Sequence, residues 1–400
     1  MKKVFKDYAK LICFYIGRIV LRVFYIFPIK KNRITFISMA GKQYSCNPRY
    51  ITEYLLKNQT GKYEIIWSIR DPAIMGNIPG VKVVKYRSLK HYYYKLTSKV
   101  SVCNTHWGNE LPSRKPQLEI YTGHGGGGGT KKGAKDDKTI HDNKAHYIGY
   151  MLDSKRYTLM MASSRLMLIN TCRNGMNFNG PVISGTPRND IFINHDHPEL
   201  NEKIKGYYGW RQDTKLVLYA PTWRNNGNEA DCYTVDYERL KKNLVNRFGG
   251  EWVVLVRLHN LVDKKVLSGV NGIIDVTDYP DMHELLYVVD AVVSDYSSFV
   301  WDYSFTYRPC FLYCADLDQY IIERDFNTPI ETWGFPVCKN NDELETAIIA
   351  FDEKKYCEGL NKRHEFCGSF ENGTATEDVC SVIKSVCFGD GSIPNTVHLV

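Results

Sequence analysis

After Pro28 the chain alternates short apolar runs with polar or helix-compatible stretches. The runs Ile34 to Met39, Tyr63 to Ile69, Val81 to Tyr86, Val100 to Asn104 and Leu118 to Tyr121 are brief and mostly β-branched or aromatic. Near-continuous hydrophobicity of this kind predicts strands buried on both faces of a parallel sheet and joined by helical crossovers, not hairpins with one wet face. A second series restarts the pattern at Lys215 to Tyr219, Trp252 to Leu258, Gly272 to Val276, Ala291 to Ser294 and Cys310 to Tyr313. Between the series, the polar stretch Asn194 to Arg211 contains His195, Asp196, His197 and Pro198 and is the expected interdomain connection. The expected architecture is α/β, with two Rossmann-like halves and a cleft between them. Helical patterns at Asp342 to Lys355 and Thr374 to Cys387 precede a Gly/Pro-containing tail expected to be loosely held.

The segment Lys2 to Phe27 has another pattern. At helical spacing Lys3, Asp7, Lys10, Arg18 and Arg22 gather on one side, and Ile12, Cys13, Ile16, Ile19, Val20, Val23 and Phe24 on the other. Arg18 and Arg22 interrupt the run, so it makes a poor transmembrane span. It predicts a helix lying in the headgroup region of an anionic membrane, with cationic flanks Lys2, Lys3, Lys30, Lys31 and Arg33. The alternative is a helix packed on the protein's own core. The predicted division is therefore 1–30 amphipathic segment, 31–200 first Rossmann-like domain, 201–388 second, and 389–400 tail.

Length and composition agree with this division. Four hundred residues exceed one ordinary core, and an apolar fraction of 44% with 24% charged residues is that of a globular chain. The 52 basic and 44 acidic residues leave a net charge of +8, compatible with phosphate-rich ligands or anionic lipid. No nucleic-acid-binding motif accompanies the charge. The twelve cysteines include Cys13, Cys103, Cys232, Cys310 and Cys387, without CxxC pairs. They read as reduced, mostly buried thiols in a cytoplasmic compartment.

In open α/β sheets ligands bind beyond the carboxyl ends of strands, so polar residues just after the apolar runs are the candidates for chemistry. Leu118 to Tyr121 leads into Thr122-Gly123-His124, then Gly125, Gly126, Gly127, Gly128, Gly129, Thr130, Lys131 and Lys132. Amides of a glycine run can approach a phosphate closely, beside an imidazole able to take a proton. The run fits neither the P-loop nor the dinucleotide pattern. Tyr219 leads into Ala220-Pro221-Thr222-Trp223-Arg224, which would deliver a hydroxyl and a guanidinium to a ligand. Arg257-Leu258-His259 puts two donors on one side of an extended segment, suited to a diphosphate. Ser294-Asp295-Tyr296-Ser297-Ser298, followed by Asp302, ends a buried strand in consecutive hydroxyls, a pattern for holding pyrophosphate or simply for capping a helix.

Taken in order, these segments resemble the CDP-glycerol glycerophosphotransferase family of teichoic-acid primases, polymerases and related capsule enzymes. The resemblance runs from about Ile34 to Trp333. It is carried by Gly123-His124-Gly125-Gly126, Gly185-Thr186-Pro187-Arg188-Asn189-Asp190, Tyr219 to Arg224 and Arg257-Leu258-His259. It continues in Asp278-Tyr279-Pro280-Asp281 with Glu284-Leu285-Leu286, and in Ser294 to Ser298 with Asp302. This chain departs from the family's usual loop in having five glycines after His124, Gly123 before it, and Asn260 after His259.

The resemblance implies a GT-B fold and transfer of glycerol phosphate, or a related polyol phosphate, from CDP-glycerol or CDP-ribitol to a lipid-linked polymer, releasing CMP. His124 would be the general base and His259 would stabilise charge on the diphosphate. Donor contacts would fall on His124, Gly125, Gly126, Gly127, Gly128, Arg188, Pro221, Thr222, Arg257, Leu258, Ser297, Ser298 and Asp302. With the amphipathic amino-terminal segment and the reduced cysteines, the expected place is peripheral, at the cytoplasmic face of the membrane. No metal cluster is expected, although Mg2+ on the donor diphosphate would be compatible. The length suggests a primase or capsule transferase. A GT-B glycosyltransferase using a sugar nucleotide and a non-catalytic polymer-binding protein are the rival readings.

Overall fold

The computed structural model describes residues 2–59, 61–115, 117–125, 140, 143–224, 234–259, 262–324 and 326–400. The described strands form two parallel sheets. The first contains β1 (Lys30–Ile37), β2 (Glu64–Ile69), β3 (Val81–Lys85), β4 (Ser98–Cys103), β5 (Leu118–Tyr121), β6 (Leu159–Ala162) and β7 (Val182–Ser184), in the order β3-β2-β1-β4-β5-β6-β7. The second contains β8 (Lys215–Tyr219), β9 (Trp252–Val256), β10 (Ile273–Asp275), β11 (Ala291–Ser294), β12 (Cys310–Tyr313) and β13 (Val337–Cys338), in the order β10-β9-β8-β11-β12-β13. In each, the strand order reverses once, at β1/β4 and at β8/β11. Those reversals open the crevices where doubly wound sheets take ligands.

Every strand expected from an apolar run is present, and several are a residue or two shorter than the run. Three others carry weak signals. The run Leu159-Met160-Met161-Ala162 lacks β-branched residues, and β7 and β13 span only three and two residues.

The chain divides into two compact units, one of residues 2–125, 140–190 and 369–400, the other centred on Ile191–Gly368. The expected connection at Asn194 to Arg211 is not a linker. It contains the helix Glu199–Tyr208, closed by Gly209 and buried through Leu200 and Ile204. The carboxyl end, expected to follow the second half, returns to the first. The helix Ala375–Phe388 packs Val379, Val382 and Ile383 into one core with Ile34, Phe36, Ile51, Trp67 and Val100. The expected helix Asp342 to Lys355 is two helices, Asn341–Ile349 and Glu353–Cys367. The second is started by Asp352, whose carboxylate accepts from the Lys355 amide at 3.0 Å. The tail is held, not loose. The Ser184 amide donates to the His398 carbonyl at 2.9 Å and the Val400 amide to the Val182 carbonyl at 3.0 Å, so the tail pairs with the open edge of β7.

Two carboxyls, Asp190 buried and Glu371 half-buried, fasten this returning segment. Asp190 accepts from the Ala375 and Thr376 amides at 3.2 and 2.7 Å, supplying the side-chain cap that Thr374 does not. Glu371 accepts from the Thr186 amide and hydroxyl at 2.9 and 2.7 Å and from Asn189 at 2.8 Å. Burial raises Asp190 to about 6 and Glu371 to about 8, the neutral donors only partly offsetting it. Below about pH 3 both groups are protonated folded or unfolded. As pH rises toward 8 the unfolded chain gives up the Glu371 proton and the folded one retains it, so stability falls through that window. The slope is up to about 1.4 kcal/mol per pH unit for one proton. Unfolding midpoints between pH 5 and 8 should decline more steeply for the natural chain than for Glu371→Gln; identical slopes would refute this linkage.

Helix α1 (Lys2–Val20) continues as a 3-10 turn, Leu21–Ile26, and stops before Pro28. One side sits on the loop after β4. Leu11 and Leu21 are buried, Arg18 donates to the Asn109 carbonyl at 3.2 Å, and Tyr25 donates to the Ser113 carbonyl at 2.6 Å. Gly17 makes this seat, because a Cβ there would stand 2.7 Å from Glu110 Cβ. Arg18, expected on the outward polar side, therefore faces the protein. Ile12, Ile16, Ile19, Val20, Val23 and Ile26 are each more than half exposed. No described helix is long and apolar enough to cross a membrane.

Candidate functional site

The expected site residues fall on both units. In the first, His124 follows β5 through Thr122 and Gly123. Gly123 has φ +65°, a conformation that suits glycine and turns the chain outward so that the His124 ring is exposed. His124 Nδ1 lies 2.9 Å from the Asn104 carbonyl oxygen, which can only accept. Nδ1 is thus the protonated nitrogen, and the lone pair of the neutral ring sits on Nε2, the arrangement a general base requires. Gly125 is half-buried beside it. Gly126, Gly127 and Gly128 lie outside the described residues, as do Gly129, Thr130, Lys131 and Lys132.

Arg188 is fully buried in the same unit. Its amide donates to Asn47 Oδ1 at 2.9 Å, and its Nη1 lies 3.7 Å from the Cys46 thiol. Asn47, at the start of α2 (Cys46–Asn58), also donates through Nδ2 to the carbonyls of Thr122 and Gly123, at 3.1 and 3.0 Å. Asn104 ties the end of β4 to the end of β1, accepting from the Met39 amide at 2.9 Å and donating to Ser38 Oγ at 3.0 Å. These asparagines were missed in the sequence. Their one signal was place, since Asn104 follows β4 and Ser38 follows β1, the pair flanking the first crevice.

In the second unit the ends of β8 and β11 are bound together. Ser294 Oγ donates to the Ala220 carbonyl at 2.8 Å, and Thr222 donates its amide and its hydroxyl to Asp295 at 2.9 and 2.6 Å. Pro221 is buried and Thr222 half-buried. Arg224 does not point at a ligand as expected. Its guanidinium is 8% exposed and pairs with Asp295 at 2.8 Å and Asp316 at 2.6 Å, over the rings of Tyr296 and Tyr320. Burial alone would raise the Asp316 carboxyl, but the Arg224 bonds outweigh it and hold Asp316 below its ordinary value.

Ser297 and Ser298 follow, half-buried, ahead of the short helix Phe299–Tyr303. Neither hydroxyl is hydrogen-bonded to another described residue, and Ser298 makes no side-chain cap. Asp302 lies on that helix with its carboxylate buried against His283 Nε2 at 3.1 Å. Arg257 and His259, expected to face one way, diverge after β9. Arg257 reaches the loop after β10, donating from Nη1 to the carbonyls of Val276 and Tyr279 at 3.1 and 2.6 Å, and burial lowers its pKa. His259 is exposed and stacks on Trp223, ring centres 6.1 Å apart. Leu258 is buried between them, its amide on Thr277 Oγ1 at 3.0 Å. Among the described residues no group of His, Cys, Asp or Glu is arranged to hold a metal ion.

Two doubly wound parallel units, one with an oriented histidine after β5 and one with hydroxyls gathered at its strand reversal, define a group transferase of the GT-B fold class. The chain belongs to the CDP-glycerol:poly(glycerophosphate) glycerophosphotransferase family, whose profile matches residues 19–385. It is 31% identical over 378 residues to the teichoic acid poly(glycerol phosphate) polymerase of Bacillus spizizenii, covering 90% of this chain and 94% of that one. It is 29% identical over 374 residues to the teichoic acid glycerol-phosphate transferase of Staphylococcus aureus, covering 88% and 93%. A variant of the wall teichoic acid polymerase TagF soaked with CDPG matches at a TM-score of 0.80 and 25% identity, over 97% of this chain and 99% of that one. The chain spans about half the length of two further poly(glycerol phosphate) polymerases, 51% and 49%. Length does not argue for a primase, since a relative matched over 94% of its own length is a polymerase. The chain is a polyol-phosphate transferase working from a CDP-activated donor.

Proposed function

We propose that this chain transfers glycerol phosphate from CDP-glycerol to a hydroxyl of a lipid-linked teichoic-acid acceptor at the cytoplasmic face of the membrane. The observation that carries the reading is the His124 ring, whose Nδ1–H···O=C bond to Asn104 leaves Nε2 as the basic nitrogen. The acceptor oxygen attacks the glycerol-bearing phosphorus and forms the new P–O bond. The P–O bond to CMP breaks, its electron pair leaves with CMP, and the acceptor proton passes to His124 Nε2. Ser297, Ser298 and the amides around them bind the donor's phosphates, on a loop that Thr222 ties to Asp295, and Arg257 and His259 stabilise the charge that grows on CMP. The loop from His124 to Gly128 completes the contacts, and Arg188, fully buried, acts only through the packing beneath that loop.

Glycerol is favoured over ribitol because the two relatives described above are glycerol-phosphate enzymes. Calorimetric titration with CDP-glycerol, CDP-ribitol and a UDP-sugar tests donor choice. CDP-glycerol should bind tightest, and the Ser297→Ala/Ser298→Ala double variant should bind it at least tenfold more weakly. Preference for the UDP-sugar would favour a glycosyltransferase instead.

Attachment to the membrane is supported by α1, whose exposed apolar residues face away from its seat on the protein. Burying such side chains in lipid gains about 1.5–3 kcal/mol each. The Ile16→Asp/Ile19→Asp variant should therefore bind anionic phospholipid vesicles at least tenfold more weakly than the natural chain, with unchanged turnover of a soluble acceptor. Equal vesicle binding by both proteins would exclude this role.

A further inference from the structure

The catalytic histidine and Arg188 stand in motifs more than sixty residues apart, and one side chain joins them. Asn47 is fully buried and makes three hydrogen bonds. Nδ2 donates to the carbonyls of Thr122 and Gly123, the two residues immediately before His124, and Oδ1 accepts the Arg188 amide. Only a carboxamide can donate twice and accept once here, because a carboxylate only accepts and a hydroxyl has one proton, and glutamine would carry its amide one methylene further. The backbone around it is held in conformations that L-residues seldom adopt. Cys46, directly before Asn47, has φ +61°, and Met39 and Ala40 have φ +46° and +52°. The latter two are tied down by Asn104 and Thr105, through the Met39 amide at 2.9 Å and the Ala40 amide at 3.0 Å. Strained backbone persists only where its surroundings over-determine it. One of those surrounding residues, Asn104, also holds the His124 ring.

We propose that Asn47 is a positioning residue for phosphoryl transfer, fixing the Thr122–Gly123 turn so that His124 meets the Asn104 carbonyl and keeps Nε2 directed at the acceptor proton. It touches neither substrate nor reacting atoms and acts through His124. The inference rests on the assignment of His124 as the base.

The test is a double-mutant cycle on the full chain with CDP-glycerol and a lipid-linked acceptor. Asn47→Asp is nearly isosteric, still accepts from Arg188, and loses both donors. Alone it should lower kcat at least tenfold, leave KM for CDP-glycerol within about threefold, and leave the far-ultraviolet spectrum unchanged. In the His124→Ala background it should lower kcat no further, since the group it positions is gone. Asn47→Ser, which keeps one donor, should fall between and serves if the aspartate variant does not fold. A folded Asn47 variant with natural kcat, or one whose loss repeats in full in the His124→Ala background, would overturn the proposal while leaving His124 as the base. An unchanged kcat in His124→Ala alone would remove both.

Discussion

Replacing His124 by alanine is expected to cut glycerol-phosphate transfer by about 10² to 10⁴-fold, the usual contribution of a positioned general base. Affinity for CDP-glycerol should survive, because the hydroxyls and amides of the second unit proposed to bind the donor are untouched. The loss should appear in kcat and in kcat/KM alike, as for an interaction made only in the transition state. His124→Gln, which keeps an amide near the Asn104 carbonyl but has no basic nitrogen, should be as impaired as alanine. A kcat within threefold of the natural enzyme in either variant would show that the proton leaves by another route.

The largest effect on stability is expected at Arg224. Its guanidinium neutralises two buried or half-buried carboxylates, Asp295 and Asp316, and lies over two aromatic rings. Removing one partner of a buried pair leaves charge uncompensated in a poorly solvated place, at a cost of about 3–5 kcal/mol. Arg224→Met fills similar volume without charge and should lower stability by that amount in urea unfolding. Arg224→Lys should recover only part, since an ammonium cannot bridge both carboxylates with the same planar fork. Asp295 also holds the Thr222 amide and hydroxyl. Residual folded Arg224→Met should therefore bind CDP-glycerol more weakly as well. A loss under about 1 kcal/mol would mean that the two carboxylates are neutralised some other way.

The alternation of two sheets was legible because strands buried on both faces must be short, apolar and β-branched. β6, built of Leu159, Met160, Met161 and Ala162, was not, since those residues suit helices and only pairing with β5 and β7 makes them extended. The carboxyl-terminal tail, with Gly389, Gly391 and Pro394, read as loose. It is fixed by the unpaired edge of β7, a partner two hundred residues away.

The candidate residues His124, Thr222 and Ser297 stand out in the sequence because each lies just beyond the carboxyl end of a strand. Sequence gives a residue's chemistry but not its partner. From sequence alone Arg224 reads as a ligand contact, because its partner Asp316 lies 92 positions on. Asn47 and Asn104 passed unnoticed because buried asparagines carry no periodic signal and act through main-chain atoms.

The central claim is tested most directly by turnover of CDP-glycerol carrying radiolabelled glycerol, with the natural chain and a lipid-linked acceptor. Label should enter the acceptor in step with CMP release, one CMP for each glycerol phosphate transferred. Release of cytidine products without labelled acceptor, or labelling only from a sugar nucleotide with release of its nucleoside diphosphate, would contradict it.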